Sequence, residues 1–192
     1  MKKARRKPMS VRFLRTGERR YAVRAALERK PIVEMSPAPG YDPLMPHDLQ
    51  HFIVERALGI EGGIYGQLAA SGTAGTFHIV ADRADAREAS RETRRRERKG
   101  SQFMSSQRSD SARSERATYI CWHDWLSHSD NPFLRVRALK MKDAACGMLE
   151  AMPPNERALY TPEKMTQIRS QFQRLSERWS VLKIGESFTE PW

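Results

Sequence analysis

The chain has 192 residues, of which 39% are hydrophobic and 30% are charged. This hydrophobic share is below that of a typical globular domain, so we expect one domain with a core and, beside it, segments that pack poorly. Cys121 and Cys146 are far apart and do not form a CxxC pair, which argues against a disulfide scaffold and against a zinc ribbon.

The net charge of +11 is concentrated at the N-terminus, because residues 1–30 carry twelve Lys or Arg against two acidic residues, whereas residues 31–80 carry one Arg against five. We interpret residues 1–9 as a basic, disordered arm that could bind nucleic acid or only increase solubility. No apolar run follows the basic start and none approaches the ~20 residues of a membrane span, which favours a soluble, cytoplasmic protein. The candidate contacts for nucleic acid in the arm are Lys2, Lys3, Arg5, Arg6 and Lys7.

The first structured segment has the alternation of a β-hairpin. Residues 10–24 alternate apolar and polar side chains around a turn at residues 16–18, and residues 31–35 could add a third strand. The proline-rich residues 36–43 then predict an extended connection. A helix follows, beginning at Asp42-Pro43 or at Met45-Pro46, and Gly59 ends it.

Glycines dominate the next segment, which predicts a tight bend, a short helix over residues 64–70 and a loop. They do not match a phosphate-binding fingerprint. Residues 77–80 are either a short strand or the end of the loop. Residues 82–116 are interpreted as a charged, flexible linker or insertion, with a solvated helix over residues 82–99. Its arginine run adds three candidate contacts for nucleic acid, namely Arg94, Arg95 and Arg96.

The C-terminal part predicts helices over residues 117–128 and 132–152, and a third that begins with Thr161 as N-cap. The third helix has apolar residues at steps of three and four, which predicts that they face the core. They are Met165, Ile168, Phe172, Leu175 and Trp179. Residues 181–188 predict a closing strand that could pair with the hairpin.

Together these elements predict an α+β fold. A small antiparallel sheet, made of the N-terminal hairpin and the C-terminal strand, is expected to pack against about four or five helices. Residues 10–81 and 117–192 would form two parts of a single domain. The charged segment between them would be an insertion.

The helix after the proline-rich connection carries the residues that point most directly to chemistry. His47, His51 and Glu55 are spaced four residues apart, so they follow one stripe of the helix. The helix has apolar residues on two faces, so we expect the histidines to be partly buried and to need hydrogen-bond partners or a metal. Zinc or another divalent metal could bind His47 and His51, with Asp48 or Glu55 as a third ligand. Further candidate ligands outside the helix are Gln67, His78, His123 and His128.

The segment His47-Asp48-x-x-His51 resembles the HDxxH half of the zinc motif in the coenzyme Q biosynthesis family. In that family a glutamate follows the second histidine after eleven residues, and here Gly63 stands at that place. The wider context, with Pro-His-Asp-Leu-x-His-Phe, a preceding hairpin and a closing Gly-x-Ser-Phe strand, is similar to a group of small uncharacterised bacterial proteins. This wider resemblance implies no activity.

Three functional hypotheses follow from the sequence. The first is a metal-binding protein that uses the HDxxH segment, with a hydrolytic or lyase activity that depends on the metal. The Asp at position 48 disfavours a protease of the HExxH type, in which Glu acts as the general base. The second is a nucleic-acid-binding protein that uses the basic arm and the arginine run. The third is a structural protein in which the histidines are satisfied without a metal.

Overall fold

The structure, a computed structural model, describes residues 8–28, 30–80, 86–106 and 108–192. These ranges contain five strands and eight helices. The strands are β1 (Met9–Gly17), β2 (Arg20–Leu27), β3 (Val33–Ala38), β4 (His78–Ile79) and β5 (Ser187–Pro191). The helices are α1 (His47–Leu58), α2 (Ile64–Ala69), α3 (Ala86–Ser106), α4 (Arg108–Ser127), α5 (Pro132–Leu139), α6 (Lys142–Glu150), α7 (Pro154–Arg157) and α8 (Pro162–Ser180).

The strands form one antiparallel sheet in the order β4-β3-β2-β1-β5. The hairpin pairs β1 with β2, and the C-terminal strand β5 adds to the other edge of β1, where Phe13 lies opposite Phe188. The predicted α+β class, with a hairpin and a closing strand, is therefore confirmed. The closing strand begins later than predicted, because the chain turns at Gly185 (φ +90°), whose amide donates to the Arg15 carbonyl at 2.7 Å.

One face of the sheet is apolar and packs against helices. Val11, Phe13, Tyr21 and Val23 are fully buried, as expected for the inward positions of alternating strands. Helix α8 begins as predicted, since the Thr161 hydroxyl accepts a hydrogen bond from the Lys164 amide at 3.3 Å. Four of its five predicted apolar residues are fully buried: Ile168, Phe172, Leu175 and Trp179.

Helix α1 begins directly after Pro46, at the second of the two predicted starts. It ends at Leu58, and Gly59 adopts the left-handed conformation (φ 68°) that favours glycine. Helix α1 packs against both α4 and α8, so neither face is freely solvated. The expectation of partly buried histidines is confirmed for His51, which is 1% exposed, whereas His47 at the start of the helix is exposed.

Three segments differ from the sequence interpretation. Residues 108–116 are the first half of helix α4 rather than a linker, and Asp110 and Ser114 on this half are buried. The stretch 132–152 divides into two helices at Lys140 and Met141, and α7 was not predicted, which accounts for part of the larger helix count. At the N-terminus, Met9 is a buried residue of β1 rather than part of an arm.

Within the described ranges, no helix combines the length and apolar character that crossing a bilayer requires.

Candidate metal centre

Two histidines from α1 and one carboxylate from α4 meet at the start of α1. His47 and His51 are one helical turn apart, and their ring centroids are 4.6 Å from each other. Glu115 approaches from α4, with a carboxylate oxygen 3.4 Å from His51 Nε2. One ligand atom from each of the three residues lies within 4.8 Å of the others, so the group could hold a metal ion. The sequence predicted both histidines but not Glu115.

The ring of His51 is held by a chain of hydrogen bonds on its Nδ1 side. His51 Nδ1 lies 2.8 Å from the Ser114 hydroxyl, which is itself 2.6 Å from a carboxylate oxygen of Glu55. Because the serine hydrogen is donated to the carboxylate, the hydroxyl accepts from Nδ1–H, which places the proton of a neutral ring on Nδ1. In the neutral ring Nε2 then carries the lone pair. This buried atom lies 3.4 Å from a Glu115 carboxylate oxygen and makes no closer hydrogen bond among the described residues.

Glu55 is fully buried and its carboxylate is already occupied by hydrogen bonds. Its two oxygens accept from the backbone amides of Ile64 and Tyr65, each at 2.9 Å, in addition to Ser114. Glu55 therefore fixes the beginning of α2 and orients His51 through Ser114. The structure does not place it among the candidate ligands, although the sequence proposed it as one.

Asp48 also points away from the two histidines. Its carboxylate lies 2.5 Å from the Tyr21 hydroxyl, which also contacts the Pro39 carbonyl, and its backbone carbonyl accepts from the Tyr65 hydroxyl at 2.9 Å. Burial raises the pKa of Asp48 to about 6, although the hydrogen bond from Tyr21 opposes this rise. Asp48 therefore connects α1 to the sheet, and it lies outside the three-residue group.

Charges in the group couple its titrations. Burial disfavours the protonated form of His51, but the carboxylates of Glu115 and Glu55, 3.4 Å from Nε2 and 3.6 Å from Nδ1, outweigh this and raise its pKa to about 9. The same contact with His51 lowers the pKa of Glu115. Burial, followed by the charge of His51, lowers the pKa of His47. A proton on His51 Nε2 therefore competes with a metal for the same lone pair.

The group borders a cavity of about 480 Å³, which both His47 and Glu115 line. Its two arginines are each paired with a carboxylate, Arg137 with Asp42 at 2.6 Å and Arg116 with Glu156 at 3.0 Å. Aromatic and other apolar side chains supply much of the remaining wall. They include Tyr41, Tyr119, Trp122 and Met148.

The four candidate ligands outside α1 do not join the group. Gln67 donates to the Gly62 carbonyl at 3.0 Å and supports the bend before α2. His78 is exposed on β4, and His128 is exposed near the end of α4. His123 lines the cavity, although it is not part of the three-residue group.

The candidate contacts for nucleic acid are only partly described. The arm residues Lys2, Lys3, Arg5, Arg6 and Lys7 lie outside the described residues. In α3, Arg94 is exposed and Arg95 lies 3.9 Å from Glu92. Arg96 is only 1% exposed and bonds to Glu92 and to the Pro31 carbonyl, so its side chain is not at the surface where a phosphate backbone would meet it.

Glu115 and Ser114 were missed because they lie in the segment that was interpreted as a linker. One signal for Ser114 was present in the sequence. Positions 114, 118, 121 and 125 continue the helical period of residues 117–128 toward the N-terminus, and all four are buried. Ser114 and Thr118 are polar, so the period is not visible to a search for apolar residues alone.

Comparison of the chain with protein-family models, with curated proteins and with solved structures found no match. The resemblance of the HDxxH segment to the coenzyme Q biosynthesis family therefore stays a prediction.

Proposed function

We propose that this protein binds a divalent metal ion, with zinc as the first candidate, through His47, His51 and Glu115. The observation that carries the proposal is that one ligand atom from each of the three residues lies within 4.8 Å of the others, with the buried Nε2 of His51 3.4 Å from a Glu115 carboxylate oxygen. Nε2 makes no close hydrogen bond among the described residues. When it loses its proton, its lone pair lies buried beside a second imidazole and a carboxylate, and a metal ion would satisfy it. Two imidazoles and one carboxylate are a donor set that zinc accepts.

The environment of His51 supports the same proposal. Histidines that bind metals commonly donate their other ring N–H to a carboxylate, a carbonyl or a water, which fixes the tautomer. Here Nδ1 is held by Ser114, and Ser114 is held by Glu55. Because Glu55 is in turn anchored by the backbone of α2, the ring is oriented before any ligand arrives.

We further propose that the metal serves a hydrolytic or lyase reaction in the adjoining cavity. Catalytic zinc sites have three protein ligands and leave one position for water or substrate, whereas structural sites have four protein ligands. A zinc ion would supply a water of lowered pKa or polarise a carbonyl oxygen. His47 and Glu115 line the cavity, so a molecule bound there would lie beside the ligand group.

Metal titration of protein produced without a histidine tag tests the proposal. We expect one equivalent of Zn²⁺ or Co²⁺ per chain by elemental analysis after chelation, reloading and gel filtration. His47→Ala and Glu115→Gln each remove an exposed ligand, so they should abolish stoichiometric binding without unfolding the chain. His128→Ala is the matched control, because His128 is an exposed histidine directly after the end of α4 and lies outside the group.

The proposal fails if the wild-type protein does not retain zinc, cobalt or iron at stoichiometric level. It fails equally if His47→Ala and Glu115→Gln retain as much metal as His128→Ala. Circular dichroism spectra of each variant establish that a loss of metal does not result from a loss of fold.

Nucleic-acid binding is the weaker alternative for this chain. Arg96 is buried, and Arg95 has an acidic neighbour one turn away on the same helix. The remaining support for nucleic-acid binding is the concentration of positive charge in residues 1–30.

A further inference from the structure

His123 is a second histidine in the wall of the cavity, and the proposed metal site does not use it. Its Nδ1 lies 2.8 Å from the backbone carbonyl of Tyr119. A carbonyl only accepts hydrogen bonds, so Nδ1 carries the hydrogen, and in the neutral ring Nε2 carries the lone pair. Burial, together with the charge of Arg137, lowers the pKa of His123 although its hydrogen bond to Tyr119 opposes this. Near neutral pH the ring therefore offers an acceptor.

The position of His123 on α4 relates it to the metal site. Glu115, Tyr119 and His123 are spaced four residues apart, so they follow one stripe of the helix, and all three line the cavity. A rise of 1.5 Å per residue separates the α-carbons of Glu115 and His123 by about 12 Å. One wall of the cavity thus has the candidate metal ligand Glu115 at one end and His123 at the other.

The size of the cavity favours an organic molecule over a single ion. Its volume of about 480 Å³ lies within the range of roughly 300–1,000 Å³ that holds small organic ligands. Between the two polar ends, the stripe presents the ring of Tyr119, with Trp122 and Met148 nearby in the lining. A ligand that contacts both ends would cover this apolar surface with its body.

The charges around His123 favour a neutral partner at this end. Arg137 already donates to Asp42 at 2.6 Å, and Arg116 donates to both oxygens of Glu156. An anionic group would have to compete with these carboxylates for a guanidinium. An uncharged N–H or O–H group would meet the acceptor of His123 without displacing an ion pair.

We propose that the cavity binds a small organic ligand that places an oxygen donor on the metal at one end and an uncharged N–H or O–H group against His123 Nε2 at the other. This inference rests on the proposed metal site. It goes further because it names the second contact of the ligand and the chemical class that this contact selects.

A pair of hydroxamate probes tests the inference on cobalt-loaded protein. Benzohydroxamate and 4-aminobenzohydroxamate share the chelating group and the ring, but only the second has an N–H donor at the far end. Binding is followed by the change in the cobalt absorption spectrum. We expect the wild-type protein to bind the amino probe about 2- to 12-fold more tightly, the effect of one net hydrogen bond.

Variants at His123 separate this contact from general effects on the cavity. His123→Phe should remove the preference for the amino probe, while His123→Gln, which keeps an acceptor, should retain part of it. His128→Phe is the matched control. His128 Nδ1 lies 2.8 Å from the carbonyl of Asp124, as His123 Nδ1 does from that of Tyr119, but His128 does not line the cavity.

The outcomes distinguish this inference from the proposed function. If cobalt does not bind, both are overturned. If cobalt binds and the wild-type protein does not distinguish the two probes, only the inference is overturned. A preference that persists in His123→Phe also overturns it, because the N–H group would then be recognised elsewhere.

Discussion

Gly63 lies against the Glu55 carboxylate, and Gly63→Ala tests how the buried network is held. A Cβ at this position would lie 2.2 Å from both Cδ and Oε1 of Glu55. The backbone of Gly63 has φ −74° and ψ −172°, a conformation that alanine adopts freely. The whole cost of the substitution therefore comes from the contact with Glu55. Since the carboxylate is bound by the amides of Ile64 and Tyr65, it cannot move away without breaking hydrogen bonds.

The expected magnitude follows from those bonds. Each hydrogen bond to a charged group contributes about 1.5–3 kcal/mol, and displacing the carboxylate breaks at least two of three. A buried charge that loses its partners costs about 3–5 kcal/mol, which agrees with the sum for two such hydrogen bonds. In a chain of this length, 1 kcal/mol corresponds to roughly 2–4 °C in Tm. We expect Gly63→Ala to lower Tm by roughly 6–20 °C.

Thermal unfolding followed by circular dichroism measures this effect, with Gly147→Ala as the matched control. A Cβ at Gly147, inside helix α6, would meet nothing within 4 Å. Alanine is favoured over glycine in a helix interior by about 0.5–1 kcal/mol, so the control should melt slightly higher than the wild-type protein. If Gly63→Ala melts together with the wild-type protein, the carboxylate is not held as described and the argument for an oriented His51 fails.

Three further predictions concern separate contacts. Ser114→Ala removes the link between His51 and Glu55, so metal titration should show a metal affinity about 10- to 100-fold lower. Ser111→Ala, at an exposed position of the same helix, should leave the metal affinity unchanged. Burial opposes ionisation of Glu190, but Arg174 and then Arg178 lower its pKa overall. The Glu190 carboxyl group therefore binds a proton less readily in the folded state than in the unfolded chain. Its ion pairs stabilise the fold at pH values above the pKa of Glu190 in the unfolded chain. This stabilisation is lost as the pH falls through the lower pKa of the folded state. Urea unfolding should show Glu190→Gln less stable by about 1–3 kcal/mol at neutral pH, with the difference vanishing in acid; a constant difference would contradict the ion pair. Thr161→Ala deletes the cap of α8 and should cost about 0.5–2 kcal/mol in the same assay, and an unchanged urea midpoint would show that the cap contributes nothing.

The fold could be predicted where local signals agree with one another. The hairpin combines strand alternation with a short turn, and α8 combines a capping threonine, a proline at the first turn and apolar residues at helical spacing. Helix α1 begins after Pro46, one of its two predicted starts, and ends before Gly59, and the backbone preferences of proline and glycine are nearly independent of context. Each of these features depends on residues close together in the chain.

The candidate site could be predicted only on its α1 side. His47 and His51 share a helix, so their proximity follows from spacing alone. Glu115 reaches them from α4, about sixty residues later in the sequence. The helical period through Ser114 and Thr118 indicates a buried face of α4 but does not indicate that this face packs against α1. The face of α4 that contains Ser114 and Thr118 is buried although it is polar. Both hydroxyl groups lie within hydrogen-bond distance of His51 Nδ1, so this face does not depend on apolar packing. A polar face of this kind resembles a solvated linker in the sequence.

The positions of two glutamates explain why the chain matches only half of the zinc motif that its HDxxH segment resembles. The family that the HDxxH segment resembles has a glutamate at the place of Gly63, and here the space beside Gly63 is filled by the carboxylate of Glu55. A longer side chain at position 63 would need that space, so this packing favours glycine there. Glu55 is consequently committed to the backbone of α2 and to Ser114, and the third candidate ligand comes from α4 as Glu115. In the proposed site, the carboxylate ligand therefore comes from α4 rather than from the segment that carries the glutamate in the zinc motif. Glu55, which the spacing on α1 suggests as a ligand, instead orients His51 through Ser114.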